Sequence, residues 1–110
     1  MPTDYDFIMK VGTTAPTLDA TLAGGPLNTR DLGASTVTLR LRAPSGILLA
    51  YAPVEIVSPS AMTVRYTWPA PQALLPGVYE GEWLVEWADG VIAIFPDDGY
   101  FLLKIMAALA

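Results

Sequence analysis

The sequence feature that most constrains the fold is a strict alternation of side-chain type between residues 79 and 87. Every second residue of this stretch is aromatic, valine or glycine, and three of the four residues between them are glutamates. Successive side chains of a β-strand point to opposite faces, so the pattern predicts a strand with one buried and one solvated face. Ala88, Asp89 and Gly90 follow it. They predict a tight two-residue turn with positive φ at both central residues, and residues 91–95 are expected to return as the second strand of a hairpin.

Short segments of alternating or continuous apolar character recur along the rest of the chain, separated by turns rich in glycine, proline and aspartate. They lie at residues 5–10, 18–22, 37–42, 47–52, 54–57, 62–68 and 100–105. No sustained helical period is present, so the spacing predicts an all-β antiparallel sandwich of about seven to nine strands, formed as one domain by residues 1–110. With no cysteine there is no disulfide, and Trp68, Trp83 and Trp87 are expected to fill the centre of the core.

Composition argues against several classes of function. The net charge is −5 with only six basic residues, which disfavours nucleic acid as a partner because phosphate binding needs concentrated positive charge. The longest apolar stretches are far shorter than the ~20 residues that span a bilayer. The chain also lacks histidine and cysteine, so it can form neither a Ser-His-Asp triad nor a thiol nucleophile nor an ordinary zinc site.

Three weaker alternatives remain from the residues alone. Glu80, Glu82 and Glu86 would share one strand face at ~7 Å intervals, a spacing loosely suited to glycoside hydrolysis. The aspartates of the turns have oxygen ligands that calcium accepts, and exposed tryptophans would favour a carbohydrate-binding module. Solvation of a strand face, turn capping and core packing explain the same residues more simply. We therefore expect no enzyme, no cofactor and no metal.

An ordered set of motifs resembles a known domain over nearly the whole chain. The motifs are residues 7–10, 12–16, 18–22, 31–34, 37–42 and 64–68, then Pro-Gly-Val-Tyr-Glu at 76–80, Trp-Ala-Asp-Gly at 87–90 and Phe-Pro-Asp-Asp-Gly-Tyr at 95–100. This set is similar to the immunoglobulin-like domain at the N-terminus of phage baseplate upper proteins. The resemblance implies an immunoglobulin-like sandwich.

The same resemblance implies a virion function. In that family the domain attaches to the virion scaffold and a longer C-terminal region carries the receptor-binding arm, which the resemblance does not cover. We therefore expect a structural virion protein of a tailed phage or tail-like particle, made in the bacterial cytoplasm and packed in several copies on a baseplate, neck or capsid. Its partners would be other virion proteins and copies of itself. The alternative is a carbohydrate-binding module that aids host adsorption through a glycan.

Two apolar segments are candidate contact surfaces. Residues 47–52 are apolar on both faces, so this strand is either covered twice or meets another subunit. The C-terminal segment 103–110 has a similar apolar excess. The residues predicted to contact a partner are Ile47, Leu48, Ala50, Ala52, Leu103, Ile105 and Leu109.

Overall fold

The computed structural model describes residues 5–14, 17–22, 32–70, 74–96 and 99–108, and these residues form an all-β structure of two sheets with no helix. Nine strands lie in the described chain. They are β1 (Phe7–Lys10), β2 (Leu18–Thr21), β3 (Ser35–Arg42), β4 (Leu48–Tyr51), β5 (Glu55–Ser58), β6 (Thr63–Tyr66), β7 (Gly77–Trp87), β8 (Ile92–Phe95) and β9 (Phe101–Met106). The predicted all-β class and strand number are confirmed. In this part of the chain no helix is long and apolar enough to cross a membrane.

The alternating strand with which the sequence analysis began, β7, is the centre of the larger sheet. On one side it pairs with β3 over eight consecutive residues, and β4 pairs with the far side of β3. On the other side it pairs first with β9 and then with β8. An eleven-residue strand is long enough to hold two shorter partners end to end along one side.

One pairing differs from the antiparallel expectation, because β1 runs parallel to β9 at the edge of the larger sheet. Parallel neighbours need a long connection between them, whereas a hairpin imposes antiparallel pairing. Strands β1 and β9 are the first and last strands of the described residues, so no hairpin links them and their direction is set by packing instead.

The smaller sheet has the order β2-β6-β5. Strand β6 lies between its two partners, and the proline-flanked β5 lies at an edge. Its inner side chains include Val64 and Tyr66. Tyr66 forms an aromatic cluster with Tyr51 and Trp68, with ring centroids 5.0 to 5.6 Å apart.

The core lies between the two sheets and contains all three tryptophans. Trp68, Trp83 and Trp87 are 5%, 2% and 4% exposed, which confirms that they are core residues. Trp83 stacks on Phe101 with centroids 5.5 Å apart. Without a disulfide, burial of these large apolar surfaces is the main stabilising term.

The turn between β7 and β8 is longer than predicted. Trp87 N donates to Val91 O, and Gly90 N donates to Trp87 O, so residues 88–90 form a three-residue loop. Only Gly90 has positive φ, at 89°. The expected two-residue turn is therefore wrong: a turn closed by a left-handed glycine also returns the chain in register, and Asp89 can keep ordinary backbone angles.

Candidate interaction surface

Strand β4 presents an uncovered apolar surface at the edge of the larger sheet. Ile47 and Leu48 are 62% and 72% exposed, and Ala50 and Ala52 are also exposed. No second layer formed by the described residues covers this side of the strand, so within them residues 47–52 are not covered twice. These four predicted contact residues are available to a partner.

The predicted contacts in the C-terminal segment are placed differently. Leu103 and Ile105 are 0% and 1% exposed, because β9 turns them into the core between the sheets. Their assignment as partner contacts is wrong. Lys104, which lies between them in the sequence, indicated this orientation. A strand that places a lysine outward must place both neighbouring side chains inward. Leu109 lies outside the described residues.

The outward face of the larger sheet, which we call the outer face, carries two cross-strand ion pairs. Register places Arg40 of β3 opposite Glu82 of β7, and Arg42 opposite Glu80. Arg42 Nε and Nη2 donate to Glu80 Oε1 at 2.9 and 2.5 Å, and Arg40 donates to Glu82 in the same way. The hydrogen bond that Arg42 donates to Glu80 is the main reason that the pKa of Arg42 is raised.

The ring of Tyr100 lies beside these ion pairs. The guanidinium carbon of Arg42 is 5.0 Å from the ring centroid, which is cation–π distance. Tyr100, the two ion pairs, Leu48 and Ala50 line an open groove of about 420 Å³. The tyrosine forms one wall, β4 forms the other, and the arginines and glutamates form the floor.

A third outward arginine pairs on the opposite surface of the molecule. Arg65 of β6 donates from Nε to Asp19 Oδ1 of β2 at 2.9 Å. This hydrogen bond lowers the pKa of Asp19 against the opposing effect of desolvation. Both side chains are about half exposed, so the pair is solvated; it lines a shallow cleft of about 350 Å³ with Thr63 and Val57.

The groove combines paired charges with apolar and aromatic side chains. Each glutamate of its floor accepts hydrogen bonds from an arginine of the neighbouring strand. No cluster of three or more metal-ligating side chains occurs among the described residues. The groove offers apolar walls, an aromatic ring and charges of both signs, which is a composition typical of protein contact surfaces.

Comparison with known proteins adds no family assignment. The chain matches no protein-family model, and no curated protein matches it significantly. The resemblance described from the sequence motifs therefore stays a prediction.

Tyr100 is the functional candidate that the sequence analysis missed. It follows Gly99, whose φ is 75°, and stands directly before the first buried residue of β9. Its position predicts an outward ring on a strand. That the ring reaches Arg42 two strands away follows only from the order β9-β7-β3.

Proposed function

We propose that this protein is a structural virion protein of a tailed phage or tail-like particle, an immunoglobulin-like module packed in several copies on a baseplate, neck or capsid scaffold. The observation that carries the proposal is the outer face with its uncovered apolar edge. Such a surface is favourable in a protein that packs against neighbouring subunits, because the contact removes Leu48 and Ile47 from water.

Two features support the immunoglobulin-like part of the proposal. The smaller sheet, β2-β6-β5, and the run β9-β7-β3-β4 of the larger sheet follow the strand orders B-E-D and G-F-C-C′ of such sandwiches. Tyr79, near the start of β7, donates from its hydroxyl to the carbonyl of Leu75 at 2.8 Å. A tyrosine at this position, bonded back to the corner before its strand, is typical of immunoglobulin-like domains.

The assignment to a phage particle rests on the resemblance of the ordered motifs to the domain of baseplate upper proteins. That domain attaches to a virion scaffold, and we propose such a scaffold as the partner of the contact surface. The carbohydrate-binding alternative depended on tryptophan faces that a sugar ring could reach. Because all three rings are buried, that alternative loses the residues on which it rested.

The test is whether the protein is a component of particles. Particles would be purified from cells that carry the gene and from cells in which it is deleted, then compared by mass spectrometry and cryo-electron microscopy. We expect the chain in the first preparation, with a sandwich-sized density in a ring or lattice that the deletion removes.

Two surface variants make this test specific. Leu48→Glu should reduce incorporation, whereas Leu75→Glu, at a leucine that is equally exposed but lies outside the groove, should not. Complete particles that never contain the protein would refute the virion function.

A further inference from the structure

We propose that two copies of this chain pack face to face through their outer faces, related by a two-fold axis that runs parallel to β3 and β7. The proposal deepens the proposed function by naming the partner as a second copy. It rests on that function only in treating the outer face as a contact surface.

The outer face is striped along the strand direction. Register sets Leu48 opposite Arg42, Arg42 opposite Glu80, and Glu80 opposite Leu102. The next row begins with Ala50, Arg40 and Glu82 in the same order. Crossing the sheet from β4, the stripes over these two rows are therefore apolar, basic and acidic, and the first row ends on the apolar Leu102.

This order is complementary to itself. A two-fold axis parallel to the strands, lying between the basic and acidic stripes, reverses the order of the stripes in the second copy while keeping each row at its own height. Arg42 of one copy then lies over Glu80 of the other, and Arg40 lies over Glu82. The apolar stripe of β4 lies over β9, with Leu48 over Leu102 of the other copy. An isologous contact requires a patch that matches itself under a two-fold rotation, and this patch does.

Tyr100 and the groove strengthen the match. Tyr100 stands on the β9 side and is 46% exposed, whereas Leu48 stands on the β4 side and is 72% exposed. The rotation brings the ring of each copy against Leu48 and Ala50 of the other, so a projecting ring meets an apolar wall twice. Tyrosines in such positions are common anchors of interfaces.

The size of the patch sets the expected strength. The 33 residues of β3, β4, β7, β8 and β9, at ~3.3 Å per residue and ~4.8 Å between strands, give a planar patch of roughly 500 Å² per copy. That is near the lower end of stable interfaces, so the dimer should dissociate on dilution in the micromolar range.

Sedimentation velocity of the purified chain over a series of concentrations tests the proposal. We expect a monomer–dimer equilibrium in which Leu48→Glu and Tyr100→Ala each raise the dissociation constant by at least about tenfold. The matched control is Leu75→Glu, since Leu75 is 77% exposed and lies outside the groove. It should leave the equilibrium unchanged, and circular dichroism would verify the fold of each variant.

A charge exchange tests the stripe order. The variant Arg40→Glu/Arg42→Glu has an all-acidic centre and Glu80→Arg/Glu82→Arg an all-basic one, so each should be monomeric alone. Mixed in equal amounts they should form a heterodimer, because every facing pair is then opposite in charge.

Three results would overturn the proposal: a monomer at every concentration, failure of the mixed charge variants to associate, or a dimer that survives Tyr100→Ala. A dimer broken by Leu48→Glu but not by Tyr100→Ala would indicate edge-to-edge pairing of β4 instead.

The test of the dimer can be separated from the test of the virion function. A chain that is incorporated into particles but monomeric in solution refutes the dimer alone, and a dimer never found in particles refutes the virion function alone.

Discussion

The ring of Phe101 lies directly over Gly81, its partner across the β7–β9 ladder. A Cβ atom at residue 81 would come within 2.6 Å of Phe101 Cε2, far inside ordinary contact. Phe101 cannot retreat, because it is packed between Trp83 on one side and Phe7 on the other. Glycine at this core position of β7 is therefore what admits the aromatic ring.

Gly81→Ala should destabilise the protein by about 1 to 3 kcal/mol, since the added methyl group overpacks the core. Denaturant unfolding measures this loss. The second change Phe101→Leu should recover part of it, because the smaller side chain vacates the space. Gly46→Ala provides a contrast: Gly46 has a φ of 93° with no atom near its missing Cβ, so its cost is backbone strain that Phe101→Leu does not relieve.

Leu103→Ala and Leu48→Ala compare a core leucine with a surface one. Leu103 is completely buried, so its truncation should cost about 2 to 5 kcal/mol of unfolding free energy through lost burial and a cavity. Leu48→Ala should change the stability of the dilute monomer by less than about 0.5 kcal/mol. Equal losses in denaturant unfolding would contradict the placement of these two residues.

Tyr79→Phe should lower the stability by about 1 kcal/mol, because it removes the hydrogen bond to the Leu75 carbonyl and keeps the buried ring. The thermal midpoint measures the effect. Tyr100→Phe is the control, since the ring of Tyr100 is half exposed and its stacking on Arg42 does not need the hydroxyl. An unchanged midpoint for Tyr79→Phe would show that the corner bond does not stabilise the fold.

The protein should lose stability in alkaline solution. Burial is the main cause that raises the pKa of Tyr51, Tyr66 and Tyr79 above the ordinary value of 10.0. The folded state thus favours the neutral tyrosines. Their contribution is complete below pH 10.0 and is lost as the pH rises through the raised folded-state values. Thermal midpoints across this range, with tyrosinate absorbance, provide the test. Tyrosines that ionise at the ordinary pKa while the protein stays folded would contradict it.

Intrinsic fluorescence should report buried tryptophans. Emission from Trp68, Trp83 and Trp87 should be blue-shifted and resistant to iodide quenching, and unfolding should reverse both properties. Host glycans should leave the spectrum unchanged. Efficient quenching that a glycan suppresses would instead favour the carbohydrate-binding alternative.

Much of the fold could be predicted from the sequence because the side chains of a β-strand alternate between its two faces. Alternation along 79–87 and 37–42 identifies inward and outward side chains from the chain alone, and glycine and proline mark where each strand stops. The same alternation predicted that the tryptophans are buried. Where both faces are apolar, as in residues 47–52 and 101–106, periodicity carries less information, and only Lys104 indicated the orientation of β9.

What the sequence determined by itself was therefore the all-β class, the approximate strand bounds and the side chains that face the core. Apart from the hairpin of β7 and β8, which the sequence predicted, the tertiary structure decided which strands are neighbours. The pairing of Arg42 with Glu80, the ring of Phe101 over Gly81 and the wall that Tyr100 forms opposite Leu48 each join segments distant in the chain. Alternation is a local property of the backbone, whereas these contacts depend on sheet order and register, which are set by the packing of the whole chain.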